Sequence, residues 1–300
     1  MSPKKNSFLD FRHYKRQDLV SLFQMAQRLR EGHDQIWKFQ GTAALLFFES
    51  STRTRISFES ACWRMGLGPI LLDINSGSSL SKGETPEDTI LNVAAMDPKV
   101  MIIRCGSDLD LDKIDQEIKP PIINGGWGSK AHPSQALLDL YTLWKERPLE
   151  GMKLLIVGDI LHSRVASSHF EVFKTMGVQI AGCGPSIFKP KTPIPDFQWF
   201  DKLSDGLAWC DSVMALRLQL ERHSEDVHLE AENFRVNYGI NKNNLSILKP
   251  EALILHPGPV NRGVEITNEV FSDSRCRILD QVNGGLYVRM ALLKRILEEA

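Results

Sequence analysis

Short apolar runs alternate with segments of helical periodicity along most of this chain. Ala43–Phe48, Ile70–Leu72, Val100–Ile103, Pro121–Asn124, Lys153–Gly158, Val178–Ala181, Ser212–Leu216 and Ala252–Leu255 are too short for helices and too apolar for loops, so they read as buried strands. Between and around them, Gln17–Arg30 puts Leu19, Leu22, Phe23, Ala26 and Leu29 on one stripe and stops at Gly32. Further helices follow the first strand to near Gly66, run from Pro86 to Met96 and from Pro133 to Glu146, end at Met176, and follow Gly284-Gly285 to the last residue. Such alternation makes parallel strands joined by helical crossovers. With 300 residues there is chain enough for two cores. The expected fold is therefore α/β: two doubly wound domains, each with a central, mainly parallel sheet flanked by helices.

The totals narrow the function classes. There are 36 basic and 37 acidic side chains, so no global field attracts nucleic acid or an anionic membrane, and any anion site has to be local. Cys62, Cys105, Cys183, Cys210 and Cys276 are odd in number, widely spaced and lack a Cys-x-x-Cys pair. A disulfide framework and structural zinc are not expected, and a reducing cytoplasm is. Met1 to Asn6 lead into no long apolar run, so neither a signal peptide nor a membrane span is expected.

The densest chemistry lies where the first strand breaks off into Glu49-Ser50-Ser51-Thr52-Arg53-Thr54-Arg55. A strand-to-helix turn leaves the first helical N–H groups without intrahelical partners, and the helix dipole adds partial positive charge there. Ser51, Thr52 and Thr54 supply hydroxyl donors, and Arg53 supplies a planar fork suited to phosphate or carboxylate oxygens. Capping alone uses one hydroxyl and leaves the others unexplained. Arg55 is placed to pair with Glu59 one helical turn on.

Other candidates are weaker on their own residues. Asn75 to Pro86 is rich in glycine and serine and reads as a mobile loop; its Lys82 is an ordinary surface lysine or a side chain able to swing over an anion. Arg104 ends an apolar strand, where open α/β sheets place ligands, although an exposed strand end is an equal alternative. His132 precedes Pro133 at a helix entrance, with Gln135 in the first turn; the dipole there opposes a cationic ring and favours a neutral imidazole that donates to a carbonyl oxygen. The turn after Lys153–Gly158 lacks the glycines of a dinucleotide site, which disfavours a dehydrogenase, and presents Arg164 instead. Arg217, Gln219 and Glu221 converge on one side if the chain stays extended. From His223 to Leu248 the chain reads as polar and irregular. In His256-Pro257-Gly258-Pro259-Val260-Asn261-Arg262, the prolines hold the backbone rigid with carbonyl groups available to a substrate amine, or form a plain tight turn.

Taken together, Phe47 to Arg55, His132-Pro133-Ser134-Gln135-Ala136-Leu137-Leu138-Asp139, Arg217-Leu218-Gln219-Leu220-Glu221-Arg222 and His256 to Arg262 resemble, in order, the motifs of the aspartate and ornithine carbamoyltransferases. Glu49 and the His-Pro-x-Pro segment point to the aspartate branch; Ser50 stands where that branch usually has proline. The resemblance implies transfer of a carbamoyl group from carbamoyl phosphate to L-aspartate in pyrimidine biosynthesis, with no cofactor and no metal. It implies catalytic roles for Arg53, Thr54, Lys82, Arg104 and His132. Carbamoyl phosphate would also be bound by Ser51, Thr52, Ser78, Gln135, Gly258 and Pro259, and aspartate by Lys82, Arg164, Arg217, Gln219 and Pro257. Glu221 and Arg222 would help lock a closed state. It further implies a homotrimer with sites shared between subunits through Lys82, with regulatory chains or a dihydroorotase as possible additional partners. The expected domains are 1–134 plus 285–300 for carbamoyl phosphate and 135–284 for aspartate. The rivals are a transcarbamoylase for another amino acid and a non-catalytic scaffold that binds phosphate metabolites.

Overall fold

The computed structural model describes residues 6–33, 39–73, 83–218 and 227–298. The chain divides into two compact units, Met1–Leu138 with Asn283–Ala300, and Asp139–Val282.

In the first unit, α1 (Arg16–Glu31) buries Leu19, Leu22, Phe23, Ala26 and Leu29 and ends on Gly32 at φ 74°. The elements β1 (Thr42–Phe47), α2 (Thr52–Arg64), β2 (Gly68–Asp73), α3 (Pro86–Ala94), β3 (Val100–Cys105), α4 (Leu111–Glu117) and β4 (Ile122–Trp127) follow. All pairings in the sheet are parallel, in the order β2-β1-β3-β4. Ala44, Leu46, Met101, Ile103 and Ile122 share one core cluster, and Leu45, Ile102 and Ile123, which alternate with them, are equally buried. A parallel strand covered on both faces reads as a continuous apolar run for this reason.

The sequence places the end of the last strand of this sheet too early. Strand β4 continues through Gly125 and Gly126 to Trp127. Its register against β3 slips between Ile103 and Arg104, so that Arg104 faces Gly126. Glycine disguises this strand because it lacks the side chain that strand reading relies on.

Helix α5 (Pro133–Glu146) starts in the first unit and ends in the second, and α10 (Ile278–Glu298) runs back. The second unit contains β5 (Lys153–Val157), α6 (Arg164–Thr175), β6 (Gln179–Cys183), β7 (Gln198–Phe200), α7 (Leu203–Trp209), β8 (Ser212–Ala215), α8 (Val227–Tyr238), β9 (Leu253–Leu255) and α9 (Asn268–Phe271). Its sheet is again parallel, in the order β7-β6-β5-β8-β9. Leu155, Val157, Val213, Ala215 and Ile254 lie in one apolar cluster. Helix α8 corrects the irregular reading of His223 to Leu248. Phe234 enters the core and Ala231 and Tyr238 pack against it, while the apolar Val236 is exposed, so the buried stripe is too narrow to stand out as helical periodicity. None of the described helices is long and apolar enough to cross a membrane. All five cysteines are free thiols.

Candidate active-site residues

Each sheet reverses its strand order once, between β1 and β3 in the first unit and between β5 and β8 in the second. Open parallel sheets bind ligands beyond the carboxyl ends of their strands at this switch point, where adjacent connections diverge and leave a crevice.

At the first switch point, Phe47 pairs with Arg104, and the Phe48 N–H donates to the Arg104 carbonyl at 2.8 Å. This bond draws the Glu49–Thr54 turn up to the end of β3. Ser51 is the N-cap of α2, in extended backbone, and its side chain makes no capping hydrogen bond. Thr52 and Arg53 are exposed, whereas Thr54 is buried. The Arg104 side chain is buried at 8% exposure; its Nη2 lies 3.5 Å from Glu49 Oε2, and its Nη1 donates to the Gly125 carbonyl at 3.4 Å. Gly126 adopts φ +135°, and a Cβ there would come within 2.8 Å of Arg104 Nη1. The glycine makes room for the guanidinium.

His132 is buried between the end of β4 and the start of α5, and its carbonyl accepts the N–H groups of Gln135 and Ala136. Its Nδ1 lies 3.5 Å from Ser134 Oγ. The carboxyl ends of β1, β3 and β4 thus carry Ser51–Thr54, Arg104 and His132 on neighbouring strands. Ser78 and Lys82 lie outside the described residues.

At the second switch point, the Leu216 N–H donates to the Val157 carbonyl at 2.8 Å, and Gly158 at φ +127° lets Leu216 pack against it. The end of β5 therefore abuts the segment that carries Arg217. Arg164 is the first residue of α6, whose N-cap Ser163 accepts the Ala166 N–H at 3.2 Å. Just before it, the buried Asp159 carboxylate holds His162 Nδ1 at 2.9 and 3.0 Å. Nothing in the local pattern marked Asp159 and His162 out, because a loop aspartate and histidine are ordinary on a surface.

Arg217 is half-buried, and the N–H of the next residue, Leu218, donates to buried Glu265 at 2.8 Å. Pro257, Gly258 and Pro259 leave β9, the strand beside β8, with Gly258 at φ +67°. Gln219, Glu221 and Arg222 lie outside the described residues. Among the described residues, no group of three or more His, Cys, Asp or Glu side chains is arranged to hold a metal ion.

Comparison with known proteins identifies the family. The family model for the aspartate/ornithine carbamoyltransferase carbamoyl-P binding domain matches residues 6–145, and that for the Asp/Orn binding domain matches residues 150–296. The aspartate carbamoyltransferase catalytic subunit of Thermus aquaticus is 41% identical over 296 residues, 96% of this chain and 97% of its own. That of Sulfurovum sp. strain NBC37-1 is 43% identical over 254 residues, 84% of each chain. Among solved structures, the catalytic subunit of M. jannaschii aspartate transcarbamoylase superposes with a TM-score of 0.87 at 27% identity, covering 98% of both chains. Aspartate transcarbamoylase from Trypanosoma cruzi in complex with carbamoyl phosphate and aspartate gives 0.84 at 25% identity, covering 96% of this chain and 95% of that one. With both family models matched in order and relatives aligned along nearly its whole length, the chain belongs to the aspartate and ornithine carbamoyltransferase family.

Proposed function

We propose that the protein transfers the carbamoyl group of carbamoyl phosphate to the amino group of L-aspartate, giving N-carbamoyl-L-aspartate and phosphate for pyrimidine biosynthesis. The observation that carries this reading is that the Ser51–Thr54 helix start, Arg104 and His132 follow the carboxyl ends of three neighbouring strands, β1, β3 and β4, beside the switch point of the first sheet. The helix amides and Arg53 suit a phosphate dianion. Arg104, His132 and the Thr54 hydroxyl suit the carbamoyl oxygen, on which negative charge grows as the amine attacks. The new C–N bond forms as the C–O bond to phosphate breaks, and the departing phosphate takes the amine proton.

Arg164 and Arg217, with Gln219, are assigned to the two carboxylates of aspartate, and the carbonyls around Pro257 to its amine. Gln135, Gly258 and Pro259 are assigned to the carbamoyl amide. Ser51–Thr54, Arg104 and His132 belong to one compact unit and Arg164, Arg217 and Pro257–Pro259 to the other, so closure around both substrates is part of the proposal; orientation of this kind lowers a bimolecular barrier by up to roughly 10 kcal/mol. Ser78 and Lys82 are assigned to a neighbouring subunit's site in a cytoplasmic homotrimer. Exposed Ile56 and Trp63 on α2 and Ile70 and Leu71 on the edge strand β2 support an assembly that covers this side of the first unit.

The test is a colorimetric assay for the ureido group of the carbamoylated amino acid, with purified protein, carbamoyl phosphate and either L-aspartate or L-ornithine. Product with L-aspartate alone is expected. Product with ornithine alone would indicate the other branch, and product with neither a binding scaffold. Mixing inactive Lys82→Ala and Arg53→Ala subunits is expected to restore activity if sites are shared.

A further inference from the structure

A near-continuous line of buried polar contacts runs beneath the candidate aspartate-binding segments of the second unit. Asp139 on α5 is fully buried; one carboxylate oxygen meets His169 Nε2 at 2.9 Å, and the other accepts Gln281 Nε2 at 2.7 Å. Gln281 Oε1 accepts the His256 backbone N–H at 2.9 Å. His256 Nδ1 accepts the Gly258 N–H at 2.8 Å. A ring nitrogen that accepts carries no proton, so the proton of the neutral ring is on Nε2, which faces Glu265 Oε2 at 3.7 Å.

Glu265 is fully buried and surrounded by donors. Its Oε1 accepts the Leu218 N–H and Asn261 Nδ2, both at 2.8 Å, and its Oε2 accepts the Asn261 N–H at 2.8 Å. Asn261 Nδ2 also reaches the Leu218 carbonyl at 3.1 Å. A buried carboxylate is tolerated only when donors take its lone pairs. Here the donors come from two segments that carry assigned aspartate ligands: the one that leaves β8 with Arg217 and the one that leaves β9 with Pro257 and continues to Asn261.

We propose that Glu265 is a positioning residue that ties these two segments together and holds Arg217 in place as the clamp for a carboxylate of the amino acid. Glu265 touches no substrate and acts through Arg217, so the inference rests on the aspartate-site reading. Loss of the tie leaves the Leu218 N–H without its acceptor and lets Arg217 drift; small misplacements of a carboxylate clamp are costly. Glutamine has the size of glutamate but only one acceptor oxygen, so it cannot take all three N–H donors.

The experiment compares wild type, Glu265→Gln, Arg217→Ala and the double variant as full-length enzyme. Glu265→Gln is expected to melt cooperatively and to raise the KM for L-aspartate about tenfold, the scale of one lost hydrogen bond to a charged group, with less than about a twofold change in the KM for carbamoyl phosphate. In the Arg217→Ala background, Glu265→Gln is expected to add nothing, because the group it positions is gone. An unchanged aspartate KM in folded Glu265→Gln overturns the proposal, as does an equal effect in both backgrounds. Arg217→Ala with unaltered aspartate KM would overturn the parent reading and with it this role. If Glu265→Gln does not fold, Asn261→Ser, which removes the amide donor to both Glu265 and Leu218, is decided by the same readouts.

Discussion

Arg104 Nη2 lies 3.5 Å from Glu49 Oε2, so the guanidinium assigned to the carbamoyl oxygen already faces a carboxylate of its own unit. An ion pair at such a spacing near a protein surface is worth no more than about 5 kcal/mol before desolvation. On the proposed reading, the phosphate of the ligand would also engage Arg53 and the α2 amides, which favours the ligand over one carboxylate. Lysine lacks the fork that reaches Glu49 and the Gly125 carbonyl together. Arg104→Lys is expected to lower kcat about a hundredfold with an unchanged melting temperature; steady-state kinetics and calorimetry check both.

Gly126 tests the same geometry from the opposite strand. An added Cβ meets Arg104 Nη1 at 2.8 Å, and φ +135° disfavours any side chain. Gly126→Ala is expected to displace the guanidinium and reduce kcat at least about tenfold, while the sheet survives with a lowered melting temperature. Full activity would show that Arg104 works from some other position.

Arg53 and Arg217 lie in different units, and their losses are expected to look different. Arg53→Ala removes phosphate stabilisation and cuts kcat by about two to three orders of magnitude. Arg217→Ala mainly raises the KM for aspartate. Near wild-type turnover in Arg53→Ala would defeat the phosphate assignment.

Burial pushes the thiols of Cys62, Cys183 and Cys210 up to about 12, and Cys105 is buried as well. At pH 8 these three thiols carry almost no thiolate. Native protein is expected to release at most the Cys276 thiol rapidly to Ellman's reagent, and all five in guanidinium chloride.

Hydrogen bonds from the Arg275 side chain hold the Asp273 carboxyl down at about 2, against a partial burial that opposes them. Arg275 also donates to the Leu245 and Lys249 carbonyls. A depressed carboxylate stabilises the fold above its unfolded value of 3.8 and loses that contribution as pH falls toward 2. The melting-temperature gap between wild type and Asp273→Asn is expected to hold steady above about pH 5 and to narrow below pH 4.

Much of the candidate site was legible because its residues sit in local patterns. The hydroxyls and Arg53 follow an apolar strand, and Pro133 marks the first turn of α5. Helix α8 and the last residues of β4 were not legible, since a polar helix with a narrow apolar stripe and a strand containing two glycines carry weak periodic signals. Nor could Glu265 be singled out, because a glutamate between valine and isoleucine gives no sign of whether it faces solvent or three N–H donors.

From its order of residues alone, this chain determined two parallel α/β units and the residue types gathered at their strand ends, because strand and helix periodicity and turn chemistry are local properties. The tertiary structure alone decided which strand ends became neighbours: Phe47 beside Arg104, Val157 beside Leu216, and Glu265 beneath Leu218. Strand order and burial arise from contacts between residues far apart in the chain, where local pattern carries no information.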